Sequence, residues 1–283
     1  MWYLAITSLI WAFSFSLIKR YLASYDASVI SFIRLFISFL VFLPFIKFPK
    51  NNLNNRRFAK QFLIGTIQFG LMYILYIKSY KYLHGHQIAL LTITTPIFVV
   101  LFDAILNKTW KTIYWGAASL VILGSAILVD AQFTLSYQWT GVLLMQAANA
   151  CFALGQILQK KWGGSQLHHV FAWSYLGGLI IPLISLLITF GFSLPSIMEE
   201  IPKSTQAWTV LLYLGAISSG LCFFMWNKGV CQINSGLISI MNNLKIPLAV
   251  LVSFFIFGES VLWVRLTLGS LCFATAFYWT YRV

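Results

Sequence analysis

Acidic residues are scarce in this chain, with six aspartates and glutamates against nineteen lysines and arginines among 283 residues. Charged residues of either sign make up 9%, where a soluble domain of this size carries roughly 25%. So little charge excludes an ordinary soluble domain. The few acidic residues are also scattered, which argues against a membrane-embedded transferase, since such an enzyme needs His, Asp or Glu clustered at a membrane face. No ring of like charges is present to act as a channel filter. Cysteine is sparse as well. Cys151, Cys222, Cys231 and Cys272 show no CxxC spacing and read as small buried helix residues, not as disulfides or metal ligands. His84 and His86, and the pair His168-His169, have no acidic or cysteine partner at zinc-like spacing, so they read as loop residues. Neither a metal nor a cofactor is implied. No GxxxxGK[ST] occurs, which excludes ATP-driven work by this chain alone. Basic residues are missing ahead of the first apolar run and no cleavage site follows it. Trp2 to Leu17 therefore reads as a retained helix, not a removable signal peptide.

What is abundant is apolar surface: 60% of residues are hydrophobic, and the mean hydropathy is +0.83. The expected fold class is all-α integral membrane. Ten apolar segments emerge between polar breaks, at 2–20, 27–46, 59–82, 86–106, 112–130, 138–160, 168–190, 206–227, 235–257 and 262–281. The loops between them are too short to hold a catalytic domain. A net charge of +13 would suggest nucleic acid in a soluble protein. Here the lysines and arginines gather in short connections that set topology, so no nucleic-acid partner is expected. Lys47, Lys50, Arg56, Arg57 and Lys60 follow the second span, Lys108 and Lys111 the fourth, and Lys160 and Lys161 the sixth. These fall on one side, which places both termini in the cytoplasm of a cell with the chain in its inner membrane.

The second half echoes the first. Trp11 to Arg20 (WAFSFSLIKR) has a counterpart in Cys151 to Lys160 (CFALGQILQK). Lys78 within YIKSYKYL matches Lys228 within WNKGVCQI, and Leu91 to Pro96 (LTITTP) matches Met241 to Pro247 (MNNLKIP). An odd number of spans per copy turns the copies upside down relative to each other. The expectation is ten transmembrane helices as two inverted five-helix repeats, 1–133 and 134–283. Such repeats mark secondary transporters, which bind substrate near the midplane between the copies. At these residues the chain resembles the drug/metabolite transporter superfamily in its ten-helix EamA-type branch. Ile18-Lys19 closing the first span, Phe32-Ile33-Arg34, the run Leu90 to Pro96, its counterpart at Pro247, and Phe257-Gly258-Glu259 carry the resemblance. Asn107-Lys108 stands where the branch often has Gly-Glu, so no symmetric acidic pair is implied. Lys245 is unusual for the branch and is similar to the basic residues of late helices in sugar-phosphate translocators.

Lys245 lies too deep to snorkel easily and reads as a cation lining the central cavity; an internal ion pair, for instance with Asp103, is the other reading. Asn242 shares its helix face at 100° per residue, whereas Asn243 is turned aside and suits a bond to a neighbouring helix. Gln68, Tyr73 and Tyr76 in the third span, Thr92 and Thr95 in the fourth, and Asn149 and Gln156 in the sixth are placed to line a site between repeats. Trp11 could face the same site, and Trp226 reads as an interfacial residue. Asp103 is either a proton relay or a charge near a helix end. Arg34 reads as a structural or gating charge. The resemblance implies that Glu259 orients the ninth helix. The expected partners are a small-molecule substrate, the lipid bilayer, and protons or a counter-substrate; oligomeric state leaves no mark. The expected function is secondary active transport of a small polar metabolite, an amino acid or derivative with an anionic group, by alternating access. A nucleoside-bearing metabolite such as S-adenosylmethionine is the alternative.

Overall fold

In the computed structural model, residues 1–22, 24–47, 52–108, 110–129, 138–163, 167–248, 250–251 and 262–282 are described. Among them there are helices and no strand. Helix α1 is Trp2–Tyr21; α2 is Ala27–Phe45, α3 Arg56–Ser79 and α4 Gln87–Asn107. Next come α5, Thr112–Val129, then α6, Trp139–Trp162, α7, Leu167–Phe190, and α8, Thr205–Val230. The last are α9, Ser235–Asn243, and α10, Trp263–Tyr281, with a short helix, Leu194–Glu199, between α7 and α8. Six of them (α2, α3, α4, α6, α7 and α8) are long and apolar enough to cross a bilayer. Apolar side chains such as Leu143, Ile188 and Leu271 are exposed on the outside of the bundle. In water such a surface would aggregate; against lipid chains it is at home. The chain is a multi-pass membrane protein.

Two differences from the expected limits concern charge. Arg56, Arg57 and Lys60 are helical, in a stretch that begins at Asn52, and Lys160 and Lys161 close the last turn of α6. Lysine and arginine are good helix formers, and at a C-terminus they complement the dipole, so the helices run on past their apolar cores.

The helices are interrupted where the backbone loses a regular partner. Pro96 has no N–H for the carbonyl four residues back, at Thr92, and that oxygen accepts from Thr95 Oγ1 at 2.7 Å within a 3₁₀ turn over Thr92–Thr94. Helix α9 likewise breaks in a turn at Leu244, just ahead of Pro247, and resumes at Lys245. Longer detours occur as π turns, Thr66–Leu71 in α3 and Tyr213–Leu221 in α8.

A glycine at the edge of the first π turn and another inside the second let a neighbouring helix approach. A Cβ at Gly65 would collide with the backbone carbonyl of Ser174 on α7, and one at Gly215 would come within 2.7 Å of Ile37 on α2. Thus α7 packs on α3, and α2 on α8, while α9 rests on α4 and α5, and α5 pairs with α10. We expect Gly65→Ala to destabilise the protein by about 1–3 kcal/mol, because a backbone atom has no rotamer in which to retreat. Gly116→Ala, whose Cβ would meet only Trp279 at 3.7 Å, should be close to neutral. Thermal unfolding in detergent tests the pair; equal midpoints for the two variants would show that the α3–α7 crossing is slack.

Candidate functional site

Helices α1, α2, α3, α4, α6 and α8, with the segment that follows α9, surround a narrow cavity of about 90 Å³, smaller than the roughly 300–1,000 Å³ of small-molecule sites. Its apolar wall is largely aromatic. Trp11 packs with its ring centroid 4.9 Å from both Phe223 and Trp226 and 5.8 Å from Phe152. The indole N–H of Trp11 donates to the Ser218 carbonyl, in the π turn of α8, at 2.9 Å. Trp226 is not an interfacial residue; it is fully buried beside Trp11.

The polar lining comes from the helix interruptions. Thr92 and Thr95 border the cavity from the 3₁₀ turn of α4, with Asn149 opposite on α6. Asn149 Nδ2 donates to the Leu91 carbonyl at 2.9 Å, while Thr94 Oγ1 donates to Gln146 Oε1 at 2.7 Å. These bonds hold α6 against the turn and fix the Asn149 amide at the cavity edge. Tyr73 and Tyr76 line it from α3, and the Tyr76 hydroxyl bonds that of Tyr80 at 2.8 Å.

Two cations reach the cavity: Arg34 from α2 and Lys245 from the helix resuming after the Leu244 turn. No aspartate or glutamate among the described residues lines it. Arg34 is 3% exposed; its Nε donates to Ser219 Oγ at 2.8 Å and its guanidinium carbon lies 4.5 Å from the centre of the Tyr73 ring.

Several expected site residues lie elsewhere. Asn242 and Gln156 form a reciprocal amide pair, Gln156 Nε2 to Asn242 Oδ1 at 3.0 Å and Asn242 Nδ2 to Gln156 Oε1 at 2.9 Å, away from the lining. Asn242 thus bonds α6 between the helices, while Lys245, just past the turn at Leu244, borders the cavity. Asn243 Nδ2 donates to the Ile93 carbonyl at 2.9 Å and clamps α9 to α4. Gln68 is buried against Gly155 on α6, and its amide has no hydrogen-bond partner among the described residues. Asp103 accepts from Asn107 Nδ2 at 2.8 Å near the end of α4, and is not part of the lining. Glu259, with Phe257 and Gly258, lies outside the described residues.

Sequence reasoning passed over Ser14, Ser218, Ser219 and Phe223. Ser218 and Phe223 line the cavity with Ser14, and Ser219 holds Arg34. A signal existed for three of them: Ser218, Ser219 and Phe223 lie 150 residues after Gln68, Phe69 and Tyr73.

Residues 1–130 and 139–281 each match the model of the EamA-like transporter family. A biotin transporter of Escherichia coli K12 is 33% identical over 99% of this chain and 92% of its own length. A probable biotin transporter of Pseudomonas aeruginosa is 32% identical over 95% of this chain and 93% of its own. Protein PecM of Dickeya dadantii is 26% identical over 69% of this chain and 64% of its own. A crystal structure of 15% sequence identity superposes with a TM-score of 0.73, covering 98% of this chain and 95% of that one, which bears on the fold alone.

Proposed function

Since the chain belongs to the EamA-like transporter family, we propose that the cavity carries a small carboxylate-bearing metabolite of the biotin kind across the inner membrane. The observation that carries this reading is the pairing of Arg34 and Lys245 with an aromatic wall in a cavity that no described carboxylate lines. Biotin has one carboxylate, a urea-like ring edge that hydrogen-bonds, and a thioether ring with an apolar chain. Arg34 and Lys245 suit the first, Asn149, Thr92 and Thr95 the second, and Trp11, Phe152 and Phe223 the third. Relatives named as biotin transporters, similar over nearly the whole chain, support the same substrate. An amino acid fits less well, because its ammonium would face two cations and find only neutral acceptors. S-adenosylmethionine adds a sulfonium and fits worse.

The transport mechanism we propose is alternating access by two inverted five-helix repeats, 1–133 and 134–283, with both termini cytoplasmic. Structural features that recur about 150 residues apart support the repeat. Gly65 and Gly70 sit at and within the first π turn, and Gly215 and Gly220, 150 residues later, lie within the second. The N-cap positions of the following helices are His84 and Asn234, and the breaks at Thr92–Thr94 and Leu244 fall at the same depth. Similar halves facing opposite ways allow the bundle to exchange two conformations of similar energy around one site.

Purified protein in proteoliposomes should take up tritiated biotin saturably, with unlabelled biotin competing and biotin methyl ester and amino acids competing weakly. A protonophore or preloaded substrate in the same assay separates proton coupling, for which Asp103 is the candidate group, from exchange. Uptake no faster than in empty liposomes, or strong competition by an amino acid, would overturn the proposed substrate.

A further inference from the structure

We propose that Arg34 is the seat of the substrate carboxylate and that Ser219, in the π turn of α8, is the residue that aims it; this rests on the substrate reading above. A guanidinium presents two hydrogen-bonding edges. One is occupied: Nε donates to Ser219 Oγ at 2.8 Å, and the plane lies over the Tyr73 ring. The other edge is not. Nη1 is buried and has no hydrogen-bond partner among the described residues. A buried donor on a charged group is costly to leave unmade, and protein interiors rarely tolerate one. Here the donor belongs to a side chain on the wall of the cavity, where a carboxylate oxygen supplied by the substrate completes it.

The surroundings hold this edge in place. The Ser219 hydroxyl also bonds the Tyr73 hydroxyl at 2.7 Å, which ties the two groups beside the guanidinium to each other. The Tyr175 hydroxyl donates to the carbonyls of both Ser219 and Gly220 in the π turn. Ser219 is therefore fixed from behind by α7 and from the side by α3. Arg34 is consequently oriented before substrate arrives, which spares the complex the entropy of ordering a long side chain.

The seat is present in one repeat only. The residue in the place of Ser219 in the first copy is Phe69, and the residue in the place of Tyr73 in the second is Phe223. Those two pack edge to face at 4.9 Å, with Phe69 stacked on Tyr175 at 5.1 Å. The Arg34 seat is thus formed once in the bundle, and a substrate with a single carboxylate is oriented by it, its carboxylate toward α2 and its rings on the Trp11 and Phe223 side chains that line the same cavity.

The experiment is calorimetric titration of the purified protein with biotin and with biotinamide, which differ only at the carboxylate. Wild type should prefer the acid by roughly 100-fold, the scale of a desolvated charge-assisted pair. In Arg34→Gln the preference should fall to a few-fold while biotinamide binds as in wild type, which also shows that the variant is folded. Ser219→Ala, which keeps the charge and removes the aim, should lose most of the preference too, and Arg34→Lys should restore part of it. An Arg34→Gln protein that still prefers the acid, or that loses both ligands equally, overturns the assignment. Wild type that binds neither ligand overturns the substrate reading and the assignment with it.

Discussion

Lys245→Met should lower biotin uptake by about thirtyfold or more, seen as a raised Michaelis constant, while the protein keeps its unfolding temperature. Lys245 lines the cavity that also holds Arg34, and its side chain sits where the helix resumes after the Leu244 turn. Removing one partner of a desolvated charge pair costs about 2–5 kcal/mol in binding, and 2 kcal/mol is about thirtyfold. Methionine has a similar length and no charge, so the cavity wall is retained and the lost interaction is isolated. Lys245→Arg keeps the charge but broadens the head, and should retain uptake above the level of the methionine variant. Uptake within threefold of wild type for Lys245→Met would remove this lysine from the substrate site and leave Arg34 as the anion contact.

Breaking the Gln156–Asn242 pair should reduce stability and leave substrate affinity nearly unchanged. Gln156 is 0% exposed and Asn242 2%, and each amide both donates to and accepts from the other. Asn242 also donates to the Ile238 carbonyl at 2.8 Å. Interhelical hydrogen bonds in membrane proteins average about 0.6 kcal/mol, because the unfolded helices find other partners in the bilayer. A single leucine substitution does more than remove a bond, since it strands the remaining amide in the interior, and stranding costs about 1–3 kcal/mol. We therefore expect Gln156→Leu and Asn242→Leu each to lower the unfolding midpoint clearly. The double variant, with no amide left to strand, should be more stable than the sum of the two losses predicts. Unfolding in detergent for the four proteins gives the coupling directly. If Asn242→Leu instead weakened biotin binding tenfold with its stability intact, Asn242 would belong to the substrate site, as its spacing from Lys245 suggests.

The residues that the sequence placed well and those it placed badly differ in kind. Trp11, Tyr73, Tyr76, Thr92, Thr95, Asn149 and Lys245 all border the cavity, and each was chosen because a polar or aromatic side chain at depth in an apolar helix must face something other than lipid. That argument is about cost, and it is local to one helix. It does not say which neighbour meets the side chain. Gln156, Asn242, Asn243 and Gln68 satisfy the same condition and lie between helices instead. Arg34 was read as a structural or gating charge from its place in its own span; its neighbour Ser219 lies 185 residues away in the chain, and no periodicity within α2 refers to it.

What the amino-acid sequence determined by itself is the part of the protein that follows from composition and local backbone chemistry. The apolar runs dictate helices in lipid, because an unpaired peptide group has no partner there. Pro96 and Pro247 mark where two of those helices break, and the recurrence of the same signals marks the second half as an echo of the first. The tertiary structure decided which surfaces meet. It paired Asn242 with Gln156 between helices and left Lys245 at the cavity wall. A π turn in α8 holds Ser219 against Arg34. Side-chain convergence of this sort depends on the crossing geometry of whole helices, and a helix records in its sequence only its own faces.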